Sequence, residues 1–218
     1  MNSEELNQII QQSALSGVTK LDLSGKELTE LSPQIGRLNS LIELKLENNE
    51  LTTLPSEIGQ LKNLKELNLQ NNKLKDLPSE IGFLSNLEEL NLENNQLTVL
   101  PPKLFDLTHL KFLNIINNKL LEISPNIKNL NGLIELWLQT NQIAFLPAEI
   151  GCLSKLKQLS LSDNQLTELP PEVGQLTQLC ALFIHTNPLK ALPTEIGALV
   201  NLRELHQPFQ GRFNTFNN

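Results

Sequence analysis

Tyrosine is absent from this 218-residue chain, and tryptophan and methionine occur once each. The only cysteines, Cys152 and Cys180, fall at different places in the pattern described below, so no bridge between them is expected. Stability does not come from a disulfide framework of the kind that staples small secreted domains, and a reducing, cytoplasmic setting is expected. Basic residues are outnumbered: 17 Lys and Arg against 24 Asp and Glu leave a formal charge of −7. A chain of that sign has no general attraction to phosphate backbones, so nucleic acid is not an expected partner. No apolar run approaches the roughly 20 residues needed to cross a bilayer. The N-terminal MNSEELNQIIQQSALSG has no basic segment leading into a long apolar core and does not read as a secretory signal. Secretion after removal of a signal is the alternative. Phosphate-binding glycine loops, nucleophile elbows and dinucleotide fingerprints are also missing. His109, His185 and His206 form no persuasive triad, and a metal site drawn from Cys180, His185 and His206 matches no standard zinc spacing. No catalytic residue, cofactor or metal is expected.

What the chain does contain is a strict period. Asparagine recurs at 49, 72, 95, 118, 141, 164 and 187, always 23 residues apart. Leucines keep the same spacing: Leu41-Leu44-Leu46-Asn49-Leu51 returns as Leu64-Leu67-Leu69-Asn72-Leu74 and persists, with isoleucine replacements, to Leu179-Leu182-Ile184-Asn187-Leu189. Repeats therefore begin at Val18, Leu41, Leu64, Leu87, Leu110, Leu133, Leu156 and Leu179. A ninth begins at Leu202 but stops matching at Gln207, which fills a leucine slot.

The period predicts an α/β solenoid, a curved right-handed superhelix with a concave parallel sheet. Positions 3 to 5 of each repeat form a short strand. Alternation sends positions 4 and 6 into the core and positions 3, 5 and 7 to the concave face. The asparagine at position 9 marks the turn out of the sheet, where its amide satisfies backbone groups that would otherwise be buried unpaired. The rest of the repeat reads L-P-x-E-I-G-x-L, as in Leu54-Pro55-Ser56-Glu57-Ile58-Gly59-Gln60-Leu61, and predicts a short helical or 3-10 segment on the convex side that glycine ends or bends. Repeat 5 places Ser124-Pro125 and Lys128 in that segment, and a local change of convex conformation is expected there. Residues 1–17 read as an N-terminal capping helix: Asn2 and Glu5 form a capping box, Leu6, Ile9, Ile10 and Ala14 share one face, and Gly17 terminates it. Residues 18–206 are the repeat domain, and 207–218, with Phe209, Phe213 and Phe216, form a tail or C-terminal cap.

The combination L-x-x-L-x-L-x-x-N-x-L-x-x-L-P-x-E-I-G-x-L at this period resembles one subgroup of leucine-rich repeats. That subgroup is the intracellular Ras-group type, with relatives in bacterial Roco GTPases and in leptospiral and cyanobacterial repeat proteins. The resemblance covers residue 18 to about residue 205 and implies a solenoid that binds a protein or peptide on its concave face, a small GTPase being one such partner. The character of the N-terminal helix leans bacterial. The same repeats occur as sensor or scaffold regions of larger GTPases and kinases, and in bacterial effectors that bind host proteins.

Subtracting the repeat isolates what it does not explain. Positions 2, 3, 5, 7 and 8 are read as free of the pattern. In repeats 1 to 4 they carry Asp22, Glu43, Glu47, Glu66, Glu88, Glu89 and Glu93 against Lys20, Lys45 and Lys65. The acidic patch Glu43, Glu47, Glu66, Glu89 and Glu93 reads as a solubilising surface or as a steering field for a basic partner. Repeats 5 to 9 place Phe112, Ile116, Trp137, Ser160, Phe183, His185 and His206 on the same face. Strand spacing puts the Trp137 and Phe183 rings about 10 Å apart across Ser160, a slot for a partner side chain. Clustered aromatics on a regular polar sheet point to an interface or to a patch packed on itself. The expected protein is a monomeric, non-enzymatic interaction module.

Overall fold

The computed structural model describes residues 1–207. Helix α1, Ser3–Ser16, opens the chain and nine three-residue strands follow: β1 Lys20–Asp22, β2 Glu43–Lys45, β3 Glu66–Asn68, β4 Glu89–Asn91, β5 Phe112–Asn114, β6 Glu135–Trp137, β7 Gln158–Ser160, β8 Ala181–Phe183 and β9 Glu204–His206. They form one parallel sheet in chain order, and each residue pairs with the one 23 positions later, as in Leu44 with Leu67. The shortened ninth repeat still contributes β9, parallel to β8.

The leucine slots explain the core. In the second repeat Leu41, Leu44, Leu46, Leu51, Ile58 and Leu61 all have 0% exposure. One continuous cluster runs from Leu6 and Ile10 of α1 to Leu199. No repeat encloses a core alone, so burial comes from stacking on neighbours. At the start, α1 covers the stack. Asn2 Oδ1 accepts from the Glu5 N–H and the Glu5 carboxylate accepts from the Asn2 N–H, both bonds of the capping box. Gly17 ends the helix at φ 60°. Leu6 and Ile10 are buried, whereas Ile9 is 38% exposed at the edge of the apolar stripe, which is narrower than the sequence pattern implied.

Each convex segment is a five-residue 3-10 turn, such as Ser56–Gln60. Bonds from the Ile58 N–H to Pro55 O at 3.1 Å and the Leu61 N–H to Ile58 O at 3.2 Å define it. The expectation that glycine ends or bends this segment is wrong. Gly59 and Gly82 lie inside their turns because the next repeat passes too close for a side chain. A Cβ on Gly82 would stand 2.1 Å from Lys103 O, and one on Gly59 2.5 Å from Glu80 O. Repeat 5 does not change its turn either: Pro125–Asn129 keeps the 3-10 form, capped by the Ser124 hydroxyl. The departure lies one repeat earlier. Phe105 fills the glycine slot of repeat 4 and is only 1% exposed, so a large buried ring stands where most other repeats have no side chain. Those two turns approach each other less closely than their neighbours do.

The C-terminal segment, including Phe209, Phe213 and Phe216, lies outside the described residues.

Candidate functional site

Two rows of asparagine hold the rim of the concave face. The asparagines at position 9 are buried. Asn95 is representative: Oδ1 accepts from the Leu74 N–H at 3.0 Å, and Nδ2 donates to Leu69 O at 2.9 Å and Leu92 O at 3.0 Å. Each therefore ties its own repeat to the one before.

The second row was missed at the sequence level. Position 8 was read as free, yet it is left-handed in every complete repeat, from Gly25 at φ 61° through Asn48 at 57° to Thr186 at 53°. Asparagine and glycine tolerate that conformation best. The asparagines there form an outer ladder, with Nδ2 of Asn71, Asn94 and Asn117 donating to Oδ1 of Asn48, Asn71 and Asn94 at 2.7, 2.6 and 2.7 Å. The signal was present in the consecutive pairs Asn48-Asn49, Asn71-Asn72, Asn94-Asn95 and Asn117-Asn118.

Positions 3, 5 and 7 stand on the concave face as alternation requires. Their charges are not evenly compensated. Glu43 takes both Lys20, at 2.5 Å, and Lys45, at 3.3 Å. Glu88 takes both Lys111, at 2.5 Å, and Lys65, at 3.1 Å. These lysines hold the Glu43 and Glu88 carboxyls below the usual carboxylate range. Four lysines are thus spent on two carboxylates. Glu47, Glu66, Glu89, Glu93 and Glu135 enter no ion pair among the described residues. Partial burial, followed by the charges of Glu66 and Glu88, pushes the Glu89 carboxyl above its ordinary pKa. Of the acidic residues picked from sequence, Glu43 is neutralised locally, while Glu47, Glu66, Glu89 and Glu93 retain uncompensated charge.

Beyond them the face turns aromatic. Phe112, Ile116, Trp137 and Phe183 are half-buried, and His185 and His206 are exposed. The expected slot between Trp137 and Phe183 does not exist. Ser160, 4% exposed, is small enough for both rings to lean over it, and their centroids stand 6.5 Å apart with planes 20° from parallel. That is within the roughly 4.5–7 Å range of rings in direct contact, so they form a platform. Phe183 continues it onto His206, at 4.9 Å and 25°. His185 meets His206 edge-on at 6.4 Å and shares a 2.9 Å hydrogen bond between Nδ1 and Ser162 Oγ. Trp137 Nε1 donates to Glu135 Oε2 at 3.1 Å, tying one edge of the platform to an unpaired carboxylate. A hollow of about 240 Å³ opens beside Phe112, lined by Glu89, Lys111, Phe112, Ile134 and Glu135. A second, of about 150 Å³, runs along Glu43, Glu66, Glu89 and Phe112. Gln139 Oε1 and Glu47 Oε2 are buried acceptors with no donor among the described residues. The arrangement suits recognition: flat aromatic surface, exposed carboxylates and acceptors that need donors.

Comparison with known proteins agrees with this geometry. Profiles described as "Leucine-rich repeat region" match residues 58–143 and 124–213, and one described as "Leucine rich repeat" matches residues 16–74. The chain belongs to the leucine-rich repeat family, whose members are generally interaction modules and not enzymes. Among solved structures it is similar to the leucine-rich repeat protein LIC12759 of Leptospira interrogans, with 44% identity, TM-score 0.88, and coverage of 92% of this chain and 50% of that one. It is also similar to the ectodomain of the plant membrane receptor kinase GASSHO1/SCHENGEN3 from Arabidopsis thaliana, solved with CASPARIAN STRIP INTEGRITY FACTOR 2. There identity is 35%, TM-score 0.78, and coverage 87% of this chain and 24% of that one. A third match is the plant peptide hormone receptor RGFR1 in complex with RGF2, at 28% identity and TM-score 0.67, covering 87% of this chain and 36% of that one. The chain thus spans half the length of the Leptospira protein and less of the plant receptors. A search of curated proteins finds no match. Among the described residues no helix is long and apolar enough to cross a membrane.

Proposed function

We propose that this protein binds a protein or peptide segment on its concave face, with Phe112, Ile116, Trp137, Phe183, His185 and His206 forming the contact surface above Ser160. The observation that carries this reading is the stacked Trp137–Phe183–His206 platform on an otherwise polar sheet. Rings already packed against each other lose little side-chain freedom when a partner covers their outer faces, and rigid aromatic anchors dominate interface energetics. Leucine-rich repeat structures solved with CASPARIAN STRIP INTEGRITY FACTOR 2 and, for a plant peptide hormone receptor, with RGF2 lend support by analogy.

A displayed library of random linear peptides, selected on the wild-type protein, tests it. Selected peptides should bind at least about tenfold more weakly to Trp137→Ala and Phe183→Ala. Emission of Trp137, the only tryptophan, should shift when they bind. Binders indifferent to both substitutions, in variants that keep the wild-type circular dichroism spectrum, would refute the reading.

A second reading, a recognition region within a longer signalling protein, is favoured by one observation: relatives of comparable repeat architecture are longer than this chain. A small GTPase as partner rests on the Ras-group resemblance alone. The Leptospira relative supports a bacterial source. The free thiols of Cys152 and Cys180 support a reducing, cytoplasmic compartment, and the protein is proposed to act as a monomer.

A further inference from the structure

Position 3 of the sheet carries a column of glutamates that a single aromatic interrupts: Glu43, Glu66 and Glu89, then Phe112, then Glu135. Phe112 pairs in register with Glu89 on one side and Glu135 on the other. The two carboxylates thus flank its ring from adjacent strands, about 10 Å from each other. Lys111 lines the same hollow, but its ammonium pairs with Glu88 at 2.5 Å and forms no ion pair with Glu89 or Glu135 among the described residues. Glu135 is steadied by the Trp137 indole N–H, which leaves its other oxygen free to accept. The hollow of about 240 Å³ lies between these groups and has Ile134 as its apolar wall.

An aromatic wall with carboxylates on both sides has one complementary ligand chemistry. A planar guanidinium can lie against a ring face while its N–H groups reach carboxylates at its edges. We propose that the hollow at Phe112 receives an arginine side chain of the bound protein or peptide segment, held by Glu89 and Glu135 over the Phe112 ring. Glu66 extends the negative field along the path by which it arrives. The adjacent Trp137–Phe183 platform takes an apolar residue of the same segment, so the recognised motif is basic-then-apolar and extended across β4 to β8. This inference rests on concave-face binding and assigns that site its partner chemistry.

Two displayed peptide libraries, one of all residues and one without arginine and lysine, test it. The first should yield peptides whose Arg→citrulline substitution, which keeps shape and removes charge, weakens binding about tenfold or more, the loss of one charge-assisted contact set. The double variant Glu89→Gln/Glu135→Gln should weaken the same peptides comparably and flatten the fall of affinity with rising salt. Phe112→Leu, which keeps volume and removes the π face, should weaken the arginine peptide and leave its citrulline form unchanged. If the library without arginine and lysine yields equally tight binders that Trp137→Ala abolishes, the arginine site is wrong while concave-face binding stands. If neither library yields binders sensitive to any concave-face substitution, both fail.

Discussion

Replacing Asn95 by alanine tests the feature on which the whole stack depends. Asn95 is 7% exposed, and its amide serves four backbone groups of two repeats. The losses are unequal. Leu69 O keeps a donor from Asn72 Nδ2 at 3.0 Å, Leu92 O keeps one from Asn118 Nδ2 at 3.0 Å, and Glu93 O keeps the Asn71 N–H at 2.9 Å. Only the Leu74 N–H, which depends on Asn95 Oδ1, becomes an orphan. A buried unpaired N–H costs roughly 1–3 kcal/mol, and losing three bonds whose acceptors remain partnered adds roughly 0.5 kcal/mol each. The expected destabilisation is therefore about 3 kcal/mol. At an m-value of about 2–3 kcal/mol/M, the urea midpoint should fall by about 1–1.5 M. Trp137 emission and far-ultraviolet circular dichroism provide two probes of the same transition. Asn95→Asp separates the two ends of the amide. It keeps the acceptor for Leu74 but points a carboxylate at three carbonyls, so at neutral pH it should cost at least as much as alanine, and it should recover partly in acid. Asn71→Gly is the control, an outer-ladder asparagine at φ 55° whose side chain bonds its neighbours near solvent. Its cost should stay below about 1 kcal/mol. An Asn95→Ala loss below about 0.5 kcal/mol, within the range of ordinary surface changes, would mean that the asparagine ladder does not hold the repeats together.

Other substitutions probe the remaining departures. Gly82→Ala should cost about 1–3 kcal/mol by urea denaturation, because its Cβ would meet the Lys103 carbonyl. Gly197→Ala, with nothing among the described residues within 4 Å of the new Cβ, should be neutral or mildly stabilising. Thr140→Asn should raise stability by about 1 kcal/mol, since a β-branched residue is strained at φ 57° and the new amide can extend the outer ladder to Asn117 Oδ1. Titration should separate the glutamates. Glu88, lowered by Lys111 and Lys65, contributes stability above the ordinary pKa of 4.5 and loses it as pH falls through its lower folded value. Glu89, raised by burial and its acidic neighbours, behaves oppositely: its protonated form is favoured in the fold, so stability is lost as pH rises through its folded value. Glu89→Gln should therefore raise the urea midpoint at neutral pH, with the gain vanishing in acid. A gain independent of pH would remove the charge argument.

Recognition of inward and outward residues was the strongest part of the sequence reading, because period and alternation are local properties. Leu44 and Leu46 are buried and Lys45 between them faces the concave side, as a strand of that pattern must be. Helix α1 was legible for the same reason, in its Asn2–Glu5 box and Gly17. Errors arose where one repeat meets the next. Glycine in the convex turn resembles a helix terminator, yet at Gly59, Gly82, Gly151 and Gly174 its cause is a carbonyl 21 residues away in sequence and 2.1–2.5 Å from the missing Cβ. Trp137 and Phe183 were placed on the correct face, but rigid strand spacing could not foresee two rings leaning over a buried serine. Acidic residues were counted from sequence without knowing that two of them, Glu43 and Glu88, would absorb four lysines.

The sequence by itself therefore determined the solenoid, its register and the side on which each residue stands. A strict period leaves one way to bury every leucine and pair every turn amide. Only the tertiary structure decided which charges remain unpaired, that the aromatics form a closed platform, and that a hollow opens beside Phe112. Those properties depend on how far side chains from neighbouring strands lean toward one another, and that is a distance between repeats.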